Sequence, residues 1–141
     1  MMKIYAIGKA KKEEVQRRIV DILKERREIL FAYLHGSFFE GSFRDVDVAV
    51  YMGEEKSKRE VLKCELELER ELEEVVGFPT DVRILNHAPL CFKFKVIERG
   101  VLLFSKDERY RCDFESLTMV EYHDFNFHRE IYRRVALGIE V

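Results

Sequence analysis

Proline occurs only twice in the 141 residues, at Pro79 and Pro89, and both lie in short connections. There is no Gly/Ser/Pro-rich linker, no internal repeat and no low-complexity segment, so the chain offers no point at which to divide it. A single domain over residues 1–141 is predicted, large enough to bury a real core with little room for a second. Cysteine is scarce too: Cys64, Cys91 and Cys112 are widely separated, odd in number and without a C-x-x-C pairing. They predict reduced, mostly packed thiols in a cytoplasmic protein. An excess of one charge is also missing, since 25 basic residues stand against 27 acidic ones. That balance excludes a polybasic nucleic-acid binder and an acidic disordered tail, so direct nucleic-acid binding is not expected. The longest apolar runs, such as "ILFAYL", are far too short to span a bilayer, and no charged leader followed by an apolar stretch opens the chain. A soluble protein without membrane association is expected.

What is present is amphipathic pattern. Val15, Ile19, Ile22 and Leu23 recur at helical spacing among charges and predict a helix from Lys12 to about Arg27. The opening "MMKIYAIG" fits either a short strand or an irregular lead-in. "EILFAYLHG" reads as a buried strand ended by Gly36, and "DVDVAVY" as a second. Its alternation puts Asp45, Asp47 and Ala49 on one face and Val46, Val48 and Val50 on the other. Ser57 is a suitable N-cap for a long helix to Val76, with a core stripe of Val61, Cys64, Leu68, Leu72 and Val75, and Gly77 ends it. "TDVRIL" and "GVLLFSK" read as further strands around a short helix in "APLCFKFKVIER". Beyond Asp107 two helical pieces are expected to near Leu137, anchored by Phe114, Tyr122, Phe125 and Tyr132. The fold class is α/β (α+β), a small sheet with helices packed on it and a C-terminal helical segment.

The stretch "YLHGSFFEGSFRDVDVAVYM" carries the chemistry. Two aspartates on one face of a strand repel each other unless something positive lies between them. Asp45 and Asp47 therefore suggest a shared divalent cation, with Asp81 of "FPTDVRIL" completing the cluster from the next strand. Gly36 lets the backbone approach a ligand, and Ser37 with the following amides can form a nest for phosphate oxygens. A short helix beginning near Phe38 would add a favourable dipole. Either motif alone is more often a solvated turn or strand start. In this order they describe phosphoryl or nucleotidyl transfer assisted by two Mg²⁺ ions, dominated by positioning and charge stabilisation.

From Phe31 to Leu85 these residues resemble the nucleotidyltransferase superfamily typified by DNA polymerase β, and within it the minimal nucleotidyltransferases. "LNHAPLCFKFKVIERGVLLFSKDERYRCDF" extends the resemblance toward the subgroup encoded beside HEPN-domain proteins. It implies a nucleotidyltransferase-type sheet, with Gly36 and Ser37 as nucleotide-binding residues and Asp45, Asp47 and Asp81 as catalytic and metal ligands. It further implies Mg²⁺ as cofactor, ATP as substrate, and an antitoxin that transfers AMP to a tyrosine hydroxyl of a partner HEPN ribonuclease toxin. The seven residues Phe38 to Arg44 between the two motifs are fewer than in many relatives. A non-catalytic antitoxin that acts by binding is a different reading, and an adenylyltransferase of small molecules another, with a homodimer supplying the pocket.

Other features carry less. His123 and His128 stand five apart, which misses the helical spacing of zinc ligands. His35 could approach a nucleotide or be a partly buried strand residue. "KCELELERELEE" reads as a solvated helix face. "FESLTMVEYHDFNFHREIYRRV" has more large apolar positions than one buried stripe needs, which points to a partner protein and a hetero-oligomer.

Overall fold

The computed structural model describes residues 3–138. The first helix forms as α1 (Lys9–Glu25), with Val15, Ile19 and Leu23 buried in one stripe. Ahead of it, Tyr5 makes one isolated bridge to Phe43, with N–H to O distances of 2.8 and 3.0 Å. β1 (Ile29–His35) stops at Gly36, which takes φ +80° and opens a 3-10 turn over Gly36–Phe39. β2 (Val46–Met52) follows, then α2 (Lys58–Val76). Ser57 caps α2 in a reciprocal capping box with Glu60, and Gly77 ends it at φ +83°. β3 (Thr80–Ile84), α3 (Leu90–Arg99), β4 (Val101–Ser105) and α4 (Glu108–Ala136) complete the order.

The four strands form one mixed sheet in the order β3-β2-β1-β4. β1 is antiparallel to β2 and β4, whereas β2 and β3 are parallel, as a crossover through α2 requires. One face carries Val46, Val48, Val50, Val82 and Ile84 against α1 and α2. The other carries Phe31, Tyr33, Ala49 and Leu85 under Val96 of α3, with Phe92 and Phe114 packed beside them. The predicted α/β class and the facing of β2 therefore both hold.

Four local expectations are corrected. The C-terminal segment is one continuous helix, because no Gly or Pro interrupts residues 108–136. Only part of it is anchored: Tyr33 Oη donates to Glu115 at 2.6 Å, Phe114 packs on Phe31 and Tyr51, and Tyr122 stacks on Phe94 at 3.8 Å. Phe125 and Tyr132 are not anchors, at 45% and 73% exposure. The α2 stripe runs through Cys64, Leu68 and Leu72 to Val76 rather than Val75, keeping strict i+4 spacing. The cysteines are free, but only Cys64 is packed; Cys91 and Cys112 face solvent from α3 and α4.

The acidic run of α2 is not simply a solvated face. β3 is an edge strand, and its outward N–H groups would template another chain if left bare. Glu65, Glu69 and Glu73, one turn apart, accept from Ile84 N at 2.9 Å, Val82 N at 3.0 Å and Thr80 N at 3.0 Å. Helical i+4 spacing is thus matched to every second residue of a strand. Replacing Glu69 by Ala is expected to cost about 1 kcal/mol in urea unfolding, with Gln costing less because it keeps an acceptor. Equal stability of all three proteins would mean that water serves the Val82 N–H as well as Glu69 does.

Candidate active site

The site lies on the α3/α4 face, at the end of the sheet where β1 finishes and β2 and β3 begin. In the strand register His35 faces Asp47 and Asp47 faces Asp81. Direct cross-strand partners point to one side, so these three side chains form a row across three adjacent strands. Asp45 sits in the bend just before β2, which starts one residue later than the predicted strand.

The electrostatics register how close the carboxylates are. Burial, and then the Asp45 and Asp81 charges, push the Asp47 carboxyl up to about 6. Arg83, two residues along β3, offsets part of this and reaches Asp81 at 3.5 Å. His35 is half-buried and edge-on to Phe92 at 5.5 Å, and its buried Nε2 has no hydrogen-bond partner among the described residues. Burial lowers its pKa against the opposing pull of Asp81 and Asp45.

Gly36 is tied to this row by contact. A Cβ there would collide with Asp47 Oδ2 and stand 3.2 Å from Asp47 Cγ, so only glycine lets the turn close over the carboxylate. The turn is a single 3-10 turn starting at Gly36 itself, rather than a helix beginning near Phe38. Its first amides, Ser37 included, have no acceptor within the turn. Phe38 is buried against Phe43 and fixes the turn from below. Lys12 of α1 donates to the carbonyls of Phe38 and Gly41 and lies over both rings. The seven-residue connection is therefore an ordered, aromatic-pinned loop.

Hard divalent cations take carboxylate oxygens. Among the described residues no group of three His, Cys, Asp or Glu side chains is pre-assembled to hold a metal ion. The fit is in donor chemistry: Asp45, Asp47 and Asp81 are oxygen donors whose mutual repulsion a cation would relieve. His123 and His128 are exposed on α4, far along the chain from this cluster.

Sequence reasoning missed Arg83, Lys12 and Glu69. Asp81 joins the cluster as expected, and Arg83, two residues on, shares its face of β3 through the pairing with β2. Glu69 lies behind Asp81; burial and that neighbouring charge raise its pKa, while the Val82 N–H lowers it.

A family model described as polymerase beta nucleotidyltransferase matches residues 17–109. Among curated proteins none matches. Several solved structures share the fold. A tri-AMPylated Shewanella oneidensis HEPN toxin in complex with MNT antitoxin contains a chain 18% identical, with TM-score 0.70, 89% of this chain and 98% of that one covered. The toxin-antitoxin MntA-HepT contains one 17% identical at TM-score 0.68, over 89% and 98%. A toxin-antitoxin with AMP-PNP gives 20% identity and TM-score 0.69 over 86% and 98%.

Proposed function

We propose that this chain, which belongs to the polymerase beta nucleotidyltransferase family, transfers AMP from ATP to a tyrosine hydroxyl of a partner HEPN-domain toxin and so acts as its antitoxin. The observation that carries the reading is the packing of Gly36 on Asp47, with Asp81 beside Asp47 on the next strand. It joins a phosphate-binding turn to a carboxylate cluster. Ser37 and the turn amides would bind the triphosphate and keep its outer phosphates aligned as the leaving group. Asp45, Asp47 and Asp81 would hold Mg²⁺, which when bound supplies positive charge to phosphate oxygens and acidifies the acceptor hydroxyl. Asp81, at the side away from the turn, is positioned to take the acceptor proton. The similar structures with AMPylated toxin and with AMP-PNP support this choice of nucleotide and partner. The protein would act as a single catalytic domain in the cytoplasm; no described helix is long and apolar enough to cross a membrane.

A second reading is favoured by α4. Leu117, Val120, Phe127, Tyr132 and Val135 are each 57% or more exposed, more apolar surface than a solitary helix needs. This face would dock the partner, and neutralisation could follow from binding alone. Co-expression separates the two. Loss of neutralisation in the Asp45→Asn, Asp47→Asn double variant is expected for the catalytic reading, whereas full neutralisation by that variant would favour binding.

A further inference from the structure

We propose that the cleft along the outer edge of β3 is the acceptor site, and that it takes an aromatic hydroxyl carried on an acidic segment. The inference rests on the nucleotidyl-transfer reading and deepens it by naming the recognition chemistry. The cleft encloses about 640 Å³ between the first turns of α2 and the start of α3, with Asp81 and Arg83 in its lining. In an in-line displacement the attacking oxygen meets the α-phosphorus opposite the leaving pyrophosphate. Gly36 anchors the triphosphate on the β1 flank of Asp47, so the attacking oxygen arrives from the β3 flank, where this cleft opens.

The lining is divided by chemistry. Val61, Leu62, Pro89 and Phe92 form an apolar wall of the size an aromatic ring requires. Leu62 is 57% exposed and belongs to no core cluster, so folding does not account for it. Lys56 and Lys58 supply cations, while Arg83 is paired with Asp81 and His87 with Glu55. Of the acidic members, Asp81 is matched by Arg83, and Glu65 is turned onto Ile84 N, leaving two lysines against one carboxylate. The surface left for a ligand is therefore apolar and positive, which suits a tyrosine flanked by Asp or Glu. In the step itself the tyrosine oxygen bonds to the α-phosphorus and the bond to the β-phosphate breaks. Pyrophosphate leaves with that electron pair, and the hydroxyl proton passes to the Asp81 carboxylate.

The test is fluorescence polarisation with the full chain and a labelled peptide, Glu-Glu-Tyr-Glu-Glu, against a Lys-Lys-Tyr-Lys-Lys control. Saturable binding of the acidic peptide is expected. Lys56→Glu with Lys58→Glu should weaken it by roughly tenfold or more, and Leu62→Arg should do so independently by blocking the wall. Both sets of positions are at the surface, and circular dichroism checks that the variants fold. Asp47→Asn should still bind the peptide while losing AMP transfer, which separates this inference from the reaction. Equal affinity for both peptides, insensitivity to the three substitutions, or displacement of the peptide by ATP alone would overturn the proposal. The last result would assign the cleft to the adenine base.

Discussion

Asp47→Asn is expected to abolish AMP transfer while making the unliganded protein more stable. Losing one of the charges proposed to hold the reacting phosphates should lower kcat by about a thousandfold, the scale seen when a preorganised electrostatic group is removed. The stability gain follows from the raised pKa. The Asp47 carboxyl titrates at about 6 in the fold against an ordinary 3.8, so between these values the native state binds more protons than the unfolded one. Stability therefore falls as pH rises through that window, and the full penalty stands above about 6. Asparagine removes it. At this half-buried position, after allowing for solvent screening, the gain at pH 7 is on the order of 1 kcal/mol, or about 2–4 °C in Tm. It should vanish near pH 3.5, below both values. Adding Mg²⁺ at pH 7 should raise the Tm of the unchanged protein and leave that of the variant nearly fixed. A variant that is less stable at pH 7, or that gains as much from Mg²⁺, would show that Asp47 is not held in unrelieved repulsion.

Gly36→Ala is the second large effect. The residue has φ +80°, a conformation that costs an L-residue about 1 kcal/mol, and its Cβ would meet Asp47 Oδ2. Either the turn lifts or the carboxylate swings away. Both separate the triphosphate from the cluster, and a displacement of about 1 Å can cost roughly a hundredfold in rate. kcat/KM for ATP should fall by about that factor, with circular dichroism unchanged because Phe38, Phe43 and Lys12 still hold the loop. An unaltered kcat/KM would mean that the turn does not cradle the phosphates.

Much of this site could be read from local pattern. Asp45 and Asp47 announce themselves because a strand rarely carries two carboxylates on one face, and Gly36 because the turn between two strands needs a backbone that other residues resist. The capping box at Ser57 and the stop at Gly77 are equally local. What the pattern could not supply is anything set by pairing. The facing of Asp81 depends on its register with Asp47, and strand order is invisible to periodicity. Glu65, Glu69 and Glu73 look like solvent-facing charges because their partners, the N–H groups of β3, carry no side-chain signature. Phe125 and Tyr132 look like core residues for the converse reason. Hydrophobicity records that a surface is to be buried, but not whether the burying group lies in the same chain.

In the proposed reaction this chain moves a nucleotidyl group onto a protein. Intact-mass measurement of the proposed HEPN partner after incubation with the purified chain, ATP and Mg²⁺ tests it most directly. A mass increase in whole AMP units is expected, absent without Mg²⁺ and absent with Asp47→Asn. A partner of unchanged mass, bound in a stable complex and inactive, would contradict it and leave the exposed face of α4 as the agent of neutralisation.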